Sequence, residues 1–285
     1  MDVKIIARKE FYNLEKGKPN IGLCMMVKDE QDNIKLSLDS VIDSNGKWVD
    51  AVIIYDTGSK DNTLQIIQDF CEKNQFNYYI IQGEFVDFST SRNVLLRWAD
   101  TVNVSFLLLL DANDELREGK HLRIHAENVL NTVSLGWLTC QIWWTGNETV
   151  KYFNVRFIRN NSKWNYRERV HEWLYNEATP NNPVLKMEDN VVIYQDRTRD
   201  NGSTGRRLER DYKILSEDVK KDPKSCRSLF YLAQTCCSMG KTEETLYYSK
   251  IRASLKGFEE EVFISLIRCA EACIKLGHSW ESIFS

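Results

Sequence analysis

Unbroken apolar runs alternate with helical stripes along the first 130 residues. Ile21-Gly22-Leu23-Cys24-Met25-Met26-Val27 is apolar throughout and reads as a strand buried on both faces. Lys28-Asp29-Glu30 ends it, and Asn33, Ile34, Leu36, Leu38, Val41 and Ile42 then recur at helical spacing. Residues 49–55 form a second apolar run, closed by Asp56-Thr57-Gly58-Ser59. Asp61 stands as an N-cap before Leu64, Ile66, Ile67 and Phe70. Residues 78–82 predict a third strand, 89–98 a helix, and 105–110 a fourth buried run that stops at Asp111-Ala112-Asn113-Asp114-Glu115. Strands and helices joined by short connections predict an α/β fold, a mostly parallel sheet flanked by helices. The loops after successive strands of such a sheet open on one edge, where ligands bind. The acids at 29–30, 56 and 111–114 therefore converge.

The later part of the chain reads differently. A helix-like stretch runs to about residue 129. Residues 133–144 and 151–158 predict antiparallel strands joined around Gly146-Asn147. Trp137, Trp143, Trp144, Trp164 and Trp173 crowd this region. Tryptophan fills cores, and its flat face with a polar edge also makes a sugar-binding wall; one or two of the five are expected in that second role. Residues 179–204 are loop-like around one short strand at 191–194. After Arg206 the pattern is helical. Leu229-Phe230-Tyr231-Leu232-Ala233 leads to Met239-Gly240-Lys241, and Ile264-Ser265-Leu266-Ile267 leads to Leu276-Gly277-His278. The two glycines stand 37 positions apart (240 to 277), near the period of helical tetratricopeptide repeats. The expected organisation is a leading segment or mobile arm at 1–19, an α/β domain at 20–200 and a helical tail at 205–285, truncated within its last repeat.

Composition narrows the function. The 285 residues carry a net charge of −3, so no basic field draws nucleic acid. The amino terminus lacks the apolar core of a secretory signal, and the apolar run at 106–110 is too short to cross a bilayer. The eight cysteines form no paired Cys-x-x-Cys sets and read as reduced thiols of a cytoplasmic protein. His121 and His125 lack the glutamate of a two-histidine zinc site and read as surface residues. Asp111, Asn113 and Asp114 put three oxygen-bearing side chains within four residues, which suits a hard divalent cation. The alternative is a solvated turn leading into a helix cap.

Five segments, in order, carry a resemblance. They are residues 21–34 ending Met-Val-Lys-Asp-Glu-Gln-Asp-Asn-Ile, then Asp56-Thr57-Gly58-Ser59-Lys60-Asp61-Asn62-Thr63, Phe88-Ser89-Thr90-Ser91-Arg92-Asn93, Leu110-Asp111-Ala112-Asn113-Asp114-Glu115, and Arg156-Phe157-Ile158-Arg159 with Arg169-Val170-His171-Glu172. Over about residues 20–175 the chain resembles family 2 glycosyltransferases of the GT-A fold, in particular the group with a tetratricopeptide tail. The resemblance implies transfer of a sugar from a nucleotide diphosphosugar, UDP-linked, to a sugar, peptide or protein acceptor. It implies that Val27, Lys28 and Glu30 hold the nucleoside, that Asp56 accepts a hydrogen bond from the base, and that Arg92 lies near the phosphates. Asp111 and Asn113 stand at the two acidic positions of the family's "DxD" motif, binding Mn2+ or Mg2+, with His171 as third ligand, diphosphate contact or packed histidine. Glu172 is the candidate base of an inverting reaction, or else a salt-bridge partner of Arg167 or Arg169. The chain departs from the family at Asn113, which lacks the second aspartate's charge, at Lys28, where tyrosine is common, and at Gln195-Asp196, where a histidine is frequent. A nucleotidyltransferase would need a glycine-rich basic phosphate loop, which is missing near the first strand. A lapsed transferase serving as a scaffold is the remaining alternative, its repeat tail gripping a protein partner or a second copy.

Overall fold

The computed structural model describes residues 2–131, 135–143, 149–161, 163–176, 184–186, 191–196 and 203–279. The chain divides into two compact units, Met1–Arg199 and Asp200–Ser285.

The first unit is built on a ten-stranded sheet. In chain order its elements are β1 (Lys4–Lys9), β2 (Ile21–Val27), α1 (Ile34–Asp39), a small β3–β4 hairpin (Ile42–Asp43 and Gly46–Lys47), β5 (Ala51–Asp56), α2 (Thr63–Asn74), β6 (Asn77–Gln82), α3 (Phe88–Ala99) and β7 (Phe106–Leu109). There follow β8 (Asp114–Arg117), α4 (Gly119–Val129), β9 (Leu135–Trp143), β10 (Thr149–Arg159), the β11–β12 hairpin (Trp164–Arg167 and Trp173–Asn176), β13 (Val184–Lys186) and β14 (Val192–Asp196). The parallel heart runs β6-β5-β2-β7. Its first strand thus lies between the second and the fourth, and the connection reverses direction there. The crevice outside the carboxyl ends of β2 and β7 is a topological switch point.

Both sheet faces are covered, which is why these strands show no alternation. Leu23, Met25, Val52, Ile54, Ile80 and Leu108 pack with Ile34, Leu38, Ile67 and Leu122 of α1, α2 and α4. Their neighbours in the chain, Cys24, Ile53, Tyr79, Ile81, Leu107 and Leu109, pack on the other side with Leu95, Leu96 and Ala99 of α3 and with Trp164.

Of the two readings of residues 1–19, the leading segment fits: β1 pairs antiparallel with β6, and Asn77 Oδ1 accepts from the N–H groups of Phe11 (2.7 Å) and Tyr12 (3.3 Å). This edge strand stays exposed (Ile5 by 61%), so it carries no apolar period. Residues 114–117, of which the sequence suggested only the end of an acidic turn ahead of a helix, form a strand, β8. It pairs antiparallel with β14, Gln195 opposite Asp114, and four residues are too few to show a period. The β9–β10 hairpin is antiparallel, as expected, while Gly146-Asn147 lies outside the described residues.

The second unit holds α5 (Ser203–Lys221), α6 (Cys226–Ser238), α7 (Thr242–Ser254) and α8 (Glu259–Lys275). Gly240 and Gly277 both have φ of +72°, the left-handed helix stop that glycine adopts without a Cβ penalty. Lys241 N–H reaches Cys236 O at 2.9 Å and His278 N–H reaches Cys273 O at 3.0 Å. The same closure is repeated 37 positions later. Among the described residues no helix is long and apolar enough to cross a membrane.

Candidate active site at the rim between β2 and β7

The loops after β2 and β5 are laced together. Val27 stands opposite Asp56 at the ends of their strands. Val27 O accepts from Thr57 N–H (2.9 Å) and its hydroxyl (3.2 Å). Asp29 N–H donates to Ser59 Oγ (3.0 Å), Glu30 N–H to Thr63 Oγ1 (2.7 Å) and Gln31 N–H to Asp61 Oδ2 (3.1 Å), while Lys60 N–H returns a bond to Asp29 Oδ1 (2.7 Å). Most polar positions of the Asp56–Thr63 segment thus serve to shape the two loops. Asp56 is fully buried and accepts from Gly58 N–H (3.2 Å), Ser59 N–H (3.0 Å), Ser59 Oγ (2.5 Å) and Gln82 Nε2 (2.6 Å). Those donors fill the lone-pair sites of a carboxylate, a commitment the sequence did not reveal. Lys28 is exposed and Glu30 half-buried. Burial pushes the Glu30 carboxyl up; the Asn33 amide opposes this, and the charges of Asp111, Asp61 and Asp29 add to it.

On the β7 side, Leu110 N–H still reaches Cys24 O (3.3 Å) before the chain turns. The Asp111 carbonyl accepts from Ser37 Oγ (3.2 Å) and Asp114 N–H (3.0 Å), and Asp111 N–H donates to Asp114 Oδ2 (2.8 Å). Asn113 is exposed at the tip of this turn. The Asp111 carboxylate lies between two guanidinium groups. Arg92 Nη2 donates to Oδ1 at 2.6 Å, and Arg156 Nη2 and Nη1 reach Oδ2 at 3.3 and 3.4 Å. Arg92 Nε also donates to Glu172 Oε1 at 2.9 Å. Arg156 Nη1 lies 3.4 Å from Asp114 Oδ2, and Gln195 Nε2 donates to Asp114 Oδ1. The side chains of Arg92 and Arg156 are 12% exposed, that of Asp111 31%.

Burial works against the Asp111 charge, but Arg92 and Arg156 outweigh it and hold the carboxyl well below its usual range. Asp114 goes the other way. Burial, helped by the neighbouring Asp111 charge and opposed by Arg156, raises it to about 6. Two carboxyls three residues apart are thus driven in opposite directions.

Glu172 is placed by α3. That helix starts at its N-cap Asp87, whose side chain accepts from Thr90 N–H (2.7 Å). Asn93 then clamps the β11–β12 hairpin, donating to Tyr166 O (2.9 Å) and accepting from Tyr166 N–H (2.6 Å). Arg97 Nη2 donates to Trp164 O (2.6 Å), and Phe88 N–H to Arg169 O (3.2 Å). The hairpin loop holds Glu168 at φ +71° and His171 at φ +52°, left-handed backbone of the kind that collects at functional loops. Glu172 meets Arg92 and not Arg167 or Arg169, the partners that sequence proximity suggested; Arg167 lies over the Tyr175 ring instead (3.8 Å). His171 is half-buried next to Glu172. Trp164 is core, whereas Trp173, the residue after Glu172, is 39% exposed with its ring against that of Tyr175 (5.5 Å). The side chains of Trp137, Trp143 and Trp144 lie outside the described residues. On α4, His121 is 3.9 Å from Glu118, and His125 sets its edge against the Phe157 ring.

Of the residues singled out from sequence, Arg92, Asp111 and Glu172 form one connected ion network, with Val27, Lys28, Glu30 and Asp56 on the adjoining loops. Asp114, read from the sequence as a possible cation ligand, belongs to the network too, and Arg156 and Gln195 complete it without having been singled out for a site role. Only the pairing of β10 with β7 and of β14 with β8 brings Arg156 and Gln195 there.

Among the described residues no three His, Cys, Asp or Glu side chains converge as a metal cage. The turn does offer Asp111 Oδ2, loosely held and partly exposed, and the Asn113 amide. This donor set fits a hard cation whose other ligands come from a bound molecule or water.

A profile described as "Glycosyl transferase family 2" matches residues 23–179. No curated protein matches the chain. Solved structures similar to it include S. aureus TarS 1-349 in complex with UDP-GlcNAc, at 15% identity over 89% of this chain and 81% of that one, with a TM-score of 0.49. The mannosyltransferase PcManGT from Pyrobaculum calidifontis in complex with GDP-Man and Mn2+ is 11% identical over 90% of this chain and 78% of that one, with a TM-score of 0.48.

Proposed function

The chain belongs to glycosyltransferase family 2, and from that membership we propose that it moves a sugar from a UDP-linked diphosphosugar to an acceptor hydroxyl, by inversion and with Mn2+ or Mg2+. The observation that supports this reading best is Arg92, which joins Asp111 and Glu172 at the switch-point rim.

The donor diphosphate gains negative charge as the anomeric C–O bond breaks. Arg92 and Arg156 offer planar, bidentate donors to receive it. Asp111 and Asn113 would hold the cation, with His171 as a third ligand or a diphosphate contact. When bound, the cation supplies Lewis-acid stabilisation of the leaving group. Glu172 takes the acceptor hydroxyl proton as the new C–O bond forms on the opposite face of the sugar. Val27, Lys28 and Glu30 flank the nucleoside. Asp56 lies at the base end, where a base N–H takes the place held by Gln82 Nε2. Trp173 gives the acceptor an apolar face. The tail is read as a tetratricopeptide-like platform for a protein acceptor, a partner or a second copy.

A second reading, a lapsed transferase acting as a scaffold, draws support from Asn113 and from the arginines that already neutralise Asp111. Calorimetric titration with a panel of nucleotide sugars, with Mn2+ and with EDTA, separates the two. Donor binding with turnover that Glu172→Gln abolishes supports the transferase; absence of binding by every donor supports the scaffold.

A further inference from the structure

We propose that the Tyr166 hydroxyl binds a hydroxyl group of the sugar being transferred, and so helps decide which nucleotide sugar the site accepts. The inference rests on the donor-site reading above.

Tyr166 lies within β11, opposite Leu174 of β12. Asn93 fixes its main chain from both sides, at 2.9 and 2.6 Å. The ring is half-buried and, with Leu174, packs on the core that holds Trp164. Arg92 lies over this ring, its Cζ 5.5 Å from the centroid. The same guanidinium donates to Asp111 and to Glu172. The ring thus backs the group that joins the network. None of this needs the oxygen. Phenylalanine would pack, stack and keep the same main-chain bonds.

The oxygen is there all the same, and among the described residues it makes no hydrogen bond. A phenol in a half-buried place ordinarily has a partner. Burial pushes this hydroxyl up to about 12, opposed by the charges of Arg92 and Arg156 and reinforced by those of Glu172 and Asp111. It therefore keeps its proton at neutral pH and can both donate and accept. The four charged groups around it cannot do both: a guanidinium only donates and a carboxylate only accepts. A diphosphate, which only accepts, is matched by the two arginines. A sugar hydroxyl, which donates and accepts, is matched by Tyr166. Placement agrees with chemistry. Tyr166 shares its hairpin with Glu172, whereas the loops proposed to flank the nucleoside follow β2 and β5.

The test uses the full chain and Tyr166→Phe, which removes the oxygen alone. Calorimetry with Mn2+ compares UDP with UDP-glucose, UDP-galactose and UDP-N-acetylglucosamine. The expected result is UDP affinity unchanged within about twofold, while the sugar nucleotide that wild type binds best is weakened by about three- to tenfold, the worth of one hydrogen bond. Mono-deoxy analogues of that sugar nucleotide then locate the contact. One of them should bind wild type more weakly by the same factor and lose nothing further in Tyr166→Phe. The urea midpoint of the variant should match wild type, because no bond inside the protein is broken. A lowered midpoint overturns the inference by showing that the hydroxyl serves the fold. Equal weakening of UDP and sugar nucleotides overturns it by moving the hydroxyl to the diphosphate. Unchanged affinity for every sugar nucleotide overturns it too, while leaving the donor site standing. If wild type binds neither UDP nor any sugar nucleotide, the donor-site reading falls and takes the inference with it.

Discussion

Asn93 makes a sharp test of how the candidate base is held. Its amide donates to Tyr166 O at 2.9 Å and accepts from Tyr166 N–H at 2.6 Å, both partly buried. Asn93→Ala removes both bonds. Each contributes about 1 kcal/mol net, and half-buried main-chain groups left without partners add about 1 kcal/mol more, so the expected loss of stability is about 2–3 kcal/mol. Asn93→Asp keeps the acceptor for Tyr166 N–H but turns a carboxylate oxygen toward the Tyr166 carbonyl. It should not recover the wild-type value. Urea denaturation gives the stability, and hydrogen exchange at the Tyr166 amide shows whether the loss is local. The hairpin carries Glu172, while the loops at 27–30 and 56–63, proposed to flank the nucleoside, are laced independently of it. Turnover should therefore fall by about tenfold to a hundredfold, the cost of displacing a reacting group by roughly an ångström, with UDP affinity changed much less. Unaltered stability, or affinity and turnover falling in step, would refute the view that Asn93 positions the base.

Three further outcomes are expected. Asp114 titrates near 6 in the folded chain against an ordinary 3.8, so between those values the native state keeps a proton the unfolded chain has released, and stability falls as pH rises through that window, by about 3 kcal/mol at most. In Asp114→Asn that fall should vanish, beyond a pH-independent cost for turning the Gln195 amide; urea titrations in EDTA at pH 4.5 and 7.5 that give parallel losses for both proteins would rule this out. Ser59→Ala removes the hydroxyl that donates to Asp56 and accepts from Asp29 N–H; stability should drop by about 1–2 kcal/mol and UDP affinity with it, as denaturation and calorimetry would show. Trp173→Ala should raise the acceptor KM and leave donor affinity unchanged, since that ring is exposed and its residue follows Glu172 in the chain; a change confined to donor binding would move Trp173 to the other side of the site.

What could be seen in the sequence depended on how local the cause was. β2, β5 and β7 were legible because a strand covered on both faces has to be apolar at every position. The acidic turn at 111–114 was legible because it ends such a strand. β1 and β8 were hidden, one by an exposed edge and the other by its brevity. The network around Asp111 was hidden for a different reason. Its partners lie far along the chain: Arg156 is 45 positions away, and Gln195 is 81 from Asp114. Glu172 was read against nearby arginines, but its partner is 80 positions back on α3, delivered by the Asn93 clamp. The bonds of Asp56 to its own loop and to Gln82 were hidden as well, since the residue type does not tell which donors a carboxylate meets.

The duplicated helix stops at Gly240 and Gly277 give the tail a fixed step. Growth by one copied unit of 37 residues restores every glycine to a left-handed corner and every closing amide to its carbonyl. A change that parts either glycine from its closing amide sets a bulkier residue at a corner that only glycine turns cheaply. Selection can therefore lengthen or shorten the helical tail in whole strides, each bringing its own glycine stop.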